Sequence, residues 1–497
     1  MSDIFAGLGL ILQWQPLLFM VIGVIAGVAV GAMPGLSTTM SIAVLLPFTF
    51  IFEPLNGIAM LLGIYFASVY AGSIPAILLR IPGTPASAAT LLDGYPMTEQ
   101  GQAGRALTVS LVASVLGGIV GGVLLLFFAP VLAQYALRFG PAEFCMLAVF
   151  ALALIASMSQ GSMVRGLISG LLGLLIATVG LDPISGQARF TFGSTELLAG
   201  LGFIPVLIGL FGVAEAFLRF ESAGRLESGD ALTPGSYRLP GRELLRLLPA
   251  SAYSSVIGFG VGALPGTGGD IGAFVAHNEV KRLARDKSNF GHGDPRGVAA
   301  AEAANNAAVP GSLAPTLILG IPGNSAAAVL IGALTVHGLR PGPQLFTASG
   351  DLVMALFWAL VIIPVIMLAV GLLGVRAWGQ ITRIPTRYLW PCVIGLSAVG
   401  SFAVRGSVFD IAVMIAAGAL GYVMIKGGYP TAPMVIGLIV GPIAESGFRR
   451  ATIISGGNFS WILEPIPMIL LIASLLTGLT PVLRSVFSNF RSTGTET

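Results

Sequence analysis

From residue 4 to residue 52 no Asp, Glu, Lys or Arg interrupts the chain. Charge-free stretches recur at 54–79, 106–137, 144–164, 166–181, 197–214, 247–269, 303–336, 352–375, 388–404, 411–425, 427–444 and 465–483. A helix that crosses a bilayer needs about 20 apolar residues, because the hydrocarbon core is about 30 Å thick and each helical residue rises about 1.5 Å. Most of these runs fit one crossing. The first is too long for one, and Met33-Pro34-Gly35 breaks it near its middle. Only 9% of the 497 residues are charged, against about 25% in a soluble domain, so lipid must cover much of the surface. The 67 glycines and 31 prolines lie largely among these apolar runs, where they mean close helix packing and broken helices rather than disorder.

Several function classes fall away. The net charge of +3 is spread among loops, leaving no nucleic-acid footprint. Cys145 and Cys392 each sit inside an apolar run, as buried free thiols would, and imply no disulfide framework. No Gly-Lys-Ser/Thr follows a glycine run, so no P-loop is present. His277, His292 and His337 lack metal-ligand spacing, and no Ser/His/Asp set or His-Glu-x-x-His supports an intramembrane hydrolase. The chain is therefore not expected to be an enzyme. Asn458-Phe-Ser460 matches a glycosylation sequon by accident of composition. Met1 to Phe5 carries Asp3 and no basic residue, so the first apolar segment is expected to be retained rather than cleaved as a signal.

Basic residues cluster in two loops. Arg219, Arg225, Arg238, Arg242 and Arg246 mark one, and Lys281, Arg282, Arg285, Lys287 and Arg296 the other. Lys and Arg excess favours the cytoplasmic side, which also receives Arg376, Arg383, Arg387 and the Arg484–Arg491 tail. Arg138, Arg340, Arg405, Arg449 and Arg450 fit that topology less well. The N-terminus is then expected outside and the C-terminus inside.

An internal repeat shapes the fold. Gly31-Ala-Met-Pro34-Gly35 returns 231 positions later as Gly262-Ala-Leu-Pro265-Gly266. Gly72-Ser73 followed by Ile81-Pro82-Gly83 returns as Gly311-Ser312 followed by Ile321-Pro322-Gly323, at offsets of 239 and 240. The first copy is flanked by Asp3 and Glu53, the second by the two basic loops. If each Pro-Gly element is a hairpin tip, the hairpins open on opposite sides. Five crossings between them (57–79, 106–137, 144–164, 166–181 and 199–218) also invert the second copy. Inverted repeats with broken helices mark secondary transporters, whose sites lie at the repeat interface. The expected fold is an all-α polytopic membrane protein of about 11–12 transmembrane helices, in two inverted repeats with re-entrant hairpins. Its parts are a first repeat at 1–218, a cytoplasmic basic loop at 219–246, a second repeat at 247–446, and a C-terminal helix and tail at 447–497.

The breaks carry the candidate chemistry. At Pro34-Gly35-Leu36-Ser37-Thr38-Thr39, an interrupted helix frees backbone groups beside hydroxyls. The N-terminal end of the next half-helix suits a carboxylate, and freed carbonyls with hydroxyl oxygens suit Na⁺. The counterpart reads Pro265-Gly266-Thr267-Gly268-Gly269-Asp270. Asp270 is ionisable in an apolar setting and could hold a coupling cation, carry a proton, or cap a half-helix. Gly268 and Gly269 could also permit close helix approach. In Glu302-Ala-Ala-Asn305-Asn306-Ala-Ala-Val-Pro310-Gly311-Ser312, the adjacent carboxamides either contact a ligand or ion or bond between helices. Pro322-Gly323-Asn324-Ser325 and Pro82-Gly83-Thr84 form a second pair of tips, with Gly72 and Ser73 preceding the latter. A possible Na⁺ position lies near Thr39, Asp270 and Asn305. Gly23, Gly27 and Gly31, and the pairs Gly117–Gly121 and Gly118–Gly122, read as packing faces.

Three of these elements carry a family likeness: 31–39, 262–270 and 297–325 with Glu-Ala-Ala-Asn-Asn and Ile-Pro-Gly-Asn-Ser. Together they resemble the large transmembrane subunit (TctA-like) of bacterial tripartite tricarboxylate transporters, over roughly residues 10 to 450. The resemblance implies a translocation subunit in the bacterial inner membrane, accompanied by a small four-helix membrane subunit. A periplasmic substrate-binding protein would deliver citrate or another small carboxylate, and a Na⁺ or H⁺ gradient would drive import. It further implies that Pro34 to Thr39, Pro265 to Asp270, Asn305 to Ser312 and Pro322 to Ser325 line the site. A channel or stand-alone exporter is the rival reading.

Overall fold

The structure is a computed structural model, and it describes every residue except 1, 34–35, 159–161, 183, 223–235, 238, 266–267, 382–385 and 493–497. Helix dominates. A short antiparallel pair, Gly180–Leu181 with Ala188–Arg189, is the only sheet among the described residues. The first half runs α1 (Ser2–Ile11), α2 (Trp14–Gly31), α3 (Thr38–Leu45), α4 (Pro54–Ala71), α5 (Ser73–Leu79), α6 (Ser87–Glu99), α7 (Ala103–Ala136), α8 (Pro141–Met158), α9 (Met163–Ala177), α10 (Phe203–Ile208) and α11 (Ala214–Ser222). The second runs α12 (Gly241–Gly262), α13 (Gly268–Leu283), α14 (Pro295–Leu319), α15 (Ser325–Val336), α16 (Pro343–Ala348), α17 (Gly350–Ile381), α18 (Thr386–Arg405), α19 (Val408–Lys426), α20 (Thr431–Ile454) and α21 (Pro465–Ser492). Among the described residues, eight helical stretches are long and apolar enough to cross a membrane. Six further apolar helices have 10–17 residues. The chain is thus an all-α, multi-pass membrane protein.

Packing follows the glycines. A Cβ on Gly23 would lie 2.2 Å from the Met60 carbonyl oxygen, and one on Gly27 would lie 2.7 Å from that of Ile64. Only a missing side chain lets α2 approach α4 so closely. One on Gly258 would lie 2.1 Å from the Ala304 carbonyl oxygen, and one on Gly262 would lie 2.6 Å from that of Ala308. Gly27 and Gly258 differ by 231 positions, and Ile64 and Ala304 by 240. The same backbone contact is therefore built twice, at the spacing of the sequence repeat.

The direction of chain follows from these pairs. Contacts advance together along α2 and α4, so the two helices run parallel, and α12 and α14 do likewise. The segment holding α3 must then return toward the start of α2 before α4 begins. The α2–α3 and α12–α13 units are accordingly re-entrant hairpins. Corresponding helices α7 and α17 cross antiparallel: a Cβ on Gly118 would lie 2.6 Å from Pro364 and one on Gly122 would lie 2.8 Å from the Leu360 carbonyl oxygen. Equivalent helices of opposite direction, packed against each other, are the geometry of an inverted repeat.

The breaks have local causes. Ser37 is extended (ψ 156°) and its side chain accepts the Met40 N–H at 3.2 Å, starting α3. Asn324 caps α15 by accepting the Ala327 N–H at 2.8 Å. Gly320, at φ 73°, ends α14 in the left-handed conformation that glycine adopts without strain.

Candidate functional site

Four half-helices, α3, α6, α13 and α15, begin around one cavity of about 190 Å³. Their starts and the preceding tips contribute Ser37, Thr38 and Thr39; Thr84, Pro85 and Ala86; Gly269 and Asp270; and Asn324, Ser325 and Ala326. The unbroken α4 adds Tyr65 and Val69, and α14 adds Asn305, Ala308 and Val309. The free N–H groups at each start carry the positive end of a helix dipole, equivalent to about half an elementary charge. Among the described residues no Lys or Arg lines the cavity.

The lining obeys the repeat. Thr38 pairs with Gly269 and Thr39 with Asp270 at an offset of 231. Tyr65 pairs with Asn305, Val69 with Val309, Thr84 with Asn324, Pro85 with Ser325 and Ala86 with Ala326 at 240. A cavity lined by both members of each pair lies where the two halves face one another. The symmetry is broken chemically at Asp270, a carboxylate where the first copy has Thr39.

Asp270 sits in the first turn of α13, is exposed, and accepts a hydrogen bond from the Ala86 backbone. Thr38 Oγ1 and Asn305 Nδ2 are buried and find no hydrogen-bond partner among the described residues. Buried polar atoms without protein partners are costly, and both belong to residues lining this cavity. Tyr65 joins the halves: its hydroxyl bonds Ser312 Oγ at 3.1 Å and donates to Asn324 Oδ1 at 3.0 Å.

The remaining sequence candidates take other places. Gly72 and Gly83 rest against each other, and so do Ser312 and Gly323 240 positions later. Ser73 Oγ donates to the Tyr70 carbonyl and shares a hydrogen bond with Ser110, 2.7 Å in each case. Gly311 seats the Phe259 backbone. Pro322 is buried at the tip that precedes α15, and Pro265 lies in the turn before α13, which Gly268 opens. Asn306 is buried; its Nδ2 lies 3.5 Å from the Glu302 carbonyl oxygen and its Oδ1 has no partner among the described residues. Pro34, Gly35, Gly266 and Thr267 lie outside the described residues.

Tyr65, Val69, Pro85, Ala86 and Ala326 line the cavity without having been singled out from sequence. A signal for Tyr65 was present, since adding the repeat offset of 240 to it gives Asn305. Val69, Pro85, Ala86 and Ala326 look like any other residues of such a chain.

The profile of the tripartite tricarboxylate transporter TctA family matches residues 17–436. An uncharacterized 52.8 kDa protein in the TAR-I ttuC' 3' region of Agrobacterium vitis is 37% identical over 474 residues, covering 93% of this chain and 93% of that protein. An uncharacterized protein in the TAR-II ttuC' 3' region of the same organism is 35% identical over 240 residues, which are 47% of this chain and 95% of that protein. No solved structure matches.

Proposed function

This chain belongs to the tripartite tricarboxylate transporter TctA family, and on that premise we propose that it is the translocation subunit of a secondary transporter importing citrate or a related small carboxylate. The observation that carries the reading is the cavity between the two halves, where four half-helix N-termini converge with no basic side chain among the described residues. Such a site binds carboxylate oxygens through backbone N–H groups, hydroxyls and amides. Seven pairs of repeat-related lining residues suit rocking of one half against the other about a central site.

The driving force in this reading is a Na⁺ or H⁺ gradient. A Na⁺ near Thr39, Asp270 and Asn305 would offset the anionic substrate. Each ligand then strengthens binding of the other, and the relation is reciprocal. Delivery falls to a periplasmic binding protein and assembly to a small four-helix membrane subunit. The protein sits in the bacterial inner membrane, N-terminus periplasmic and C-terminus cytoplasmic.

The test is radiolabelled citrate uptake into proteoliposomes holding this chain, the small subunit and the cognate binding protein, under imposed Na⁺ or H⁺ gradients. Gradient-driven uptake that requires the binding protein is expected, and Asp270→Asn is expected to abolish accumulation. Uptake that persists without the binding protein would favour the stand-alone carrier or channel. Failure of a panel of small carboxylates to move under either gradient would end the secondary-transport reading.

A further inference from the structure

Glu302 lies one helical turn before Asn305 on α14 and is wholly shielded from solvent. The groups that bond its carboxyl are hydroxyls. Thr90 of α6 donates to Oε1, Ser114 of α7 donates to Oε2 at 3.0 Å, and Ser110 of α7 also reaches the carboxyl. Tyr70 of α4 is close enough to feel its charge, and Asn305 and Asn306 follow on α14 itself. Across α13 and α6 the nearby titratable groups are His277 and Asp93, which bond each other. No basic side chain pairs with Glu302 among the described residues. An ionised carboxylate with no counter-charge in such a place costs several kcal/mol. The neutral acid, its proton retained, avoids that cost.

The fold itself does not require this acid. Subtracting the repeat offset from Glu302 gives Leu62, and adding it to Thr90 gives Leu330. Leu62 and Leu330 meet in an apolar cluster with Leu313, Leu317, Leu356 and Leu360. One half thus closes the position with leucines, while the other spends a carboxyl and its hydroxyl donors on it.

Beyond Glu302 the polar groups continue away from the cavity. Asp93 is one turn along α6 from Thr90 and lies 2.8 Å from His277 Nε2. His277 Nδ1 is buried and has no partner among the described residues. The other Asp93 oxygen accepts N–H groups of Gly291, Gly293 and Asp294 at 2.7, 3.1 and 2.9 Å. Gly291 and His292 are exposed. Buried polar groups therefore step from the cavity wall at Asn305 to the surface of the basic loop. A Cβ on Gly297 would fall 1.9 Å from Asp93 Oδ2, so α14 leaves room for this pair.

We infer that Glu302 is a proton-binding site that couples substrate movement to proton movement, with Asp93 and His277 marking the route between it and the basic-loop face. The inference rests on the transporter reading above and makes a proton one of its coupling ions. In each cycle the Glu302 O–H bond breaks, the proton leaves through the hydroxyl and Asp93–His277 groups toward the basic loop, and a proton arriving from the cavity side restores the acid. Asp93 and His277 are positioning residues for that transfer.

Glu302→Gln keeps the size of the side chain and imitates the protonated acid. In proteoliposomes of the complete complex, the variant is expected to exchange external for internal radiolabelled citrate as the wild type does. It is also expected to lose net accumulation driven by a pH gradient and the accompanying internal acidification. His277→Gln is expected to slow net accumulation and leave exchange unchanged. Infrared spectra of the purified protein provide a readout independent of transport: a protonated-carboxyl stretch present at neutral pH in the wild type and absent in Glu302→Gln. Accumulation by Glu302→Gln under a pH gradient would refute the assignment, as would identical infrared carboxyl bands in the two proteins. If the wild type neither accumulates nor exchanges any carboxylate, the transporter reading fails, and the infrared difference still decides whether Glu302 holds a proton.

Discussion

The Tyr65 hydroxyl stands 3.0 Å from Asn324 Oδ1, and the same oxygen accepts the Ala327 N–H at 2.8 Å. A residue of an unbroken helix in the first half thereby steadies the cap of a half-helix in the second. The cap, the inter-half contact and the cavity wall coincide in one side chain.

Asn324→Ala removes the cap and every contact of this amide with the Tyr65 hydroxyl, to which Nδ2 also donates at 2.7 Å, and losing the cap alone costs about 1 kcal/mol. The variant is expected to melt at lower temperature and to transport with a raised KM. Asn324→Ser retains a capping oxygen, so its melting temperature should recover most of the loss while the KM stays high. Thermal melts and uptake kinetics on the same preparations separate the two effects. Equal KM values in wild type and both variants would dissociate the cap from the site.

Gly258 and Gly260 lie two residues apart on α12 and have opposite surroundings. A Cβ at Gly258 meets the Ala304 backbone, whereas one at Gly260 meets nothing within 4 Å. Gly258→Val should therefore lose folded, monodisperse protein. Gly260→Val should express and run in gel filtration as the wild type does. Comparable yields of the two would contradict the α12–α14 packing described above.

Asp182 follows the first strand of the short pair, outside the spanning segments. The N–H groups of Ser185 and Ile184, with Arg449 nearby, hold its carboxyl down to about 2. An unfolded aspartate titrates near 3.9. A folded value below the unfolded one stabilises the ionised form. That contribution is complete above about pH 4 and is lost as pH falls toward 2. Cleavage by pepsin between residues 178 and 202 should be slower in wild type than in Asp182→Asn at pH 4, and the difference should vanish near pH 2. A difference that does not change with pH would sink this account.

Much of the architecture was legible because it is written in local chemistry. Runs without charge marked membrane helices, and Pro34 and Pro265 marked the hairpin breaks near where α2 and α12 end. The small-residue faces were visible too, and Gly23 and Gly27 do seat α4. The site was only partly legible. Thr39, Asp270, Asn305 and Asn324 draw notice as polar groups among apolar neighbours, and all line the cavity. Gly311 and Ser312 stood in an equally suggestive motif but serve packing and the bond to Tyr65. Glu302 was in view at the head of the Asn305–Asn306 stretch, yet nothing local distinguished it from an acid at a helix surface.

The sequence by itself determined a helical membrane protein with two related sets of broken helices, since apolar length, Pro/Gly breaks and repeat spacing are properties of short segments. Only the tertiary structure decided that the tips of both sets surround one cavity, that Tyr65 joins it, and that Glu302 is shielded among hydroxyls from α6 and α7. Those relations depend on backbone approach between helices far apart in the chain. That approach is set by which glycines face which carbonyls, and a linear pattern of residues does not contain it.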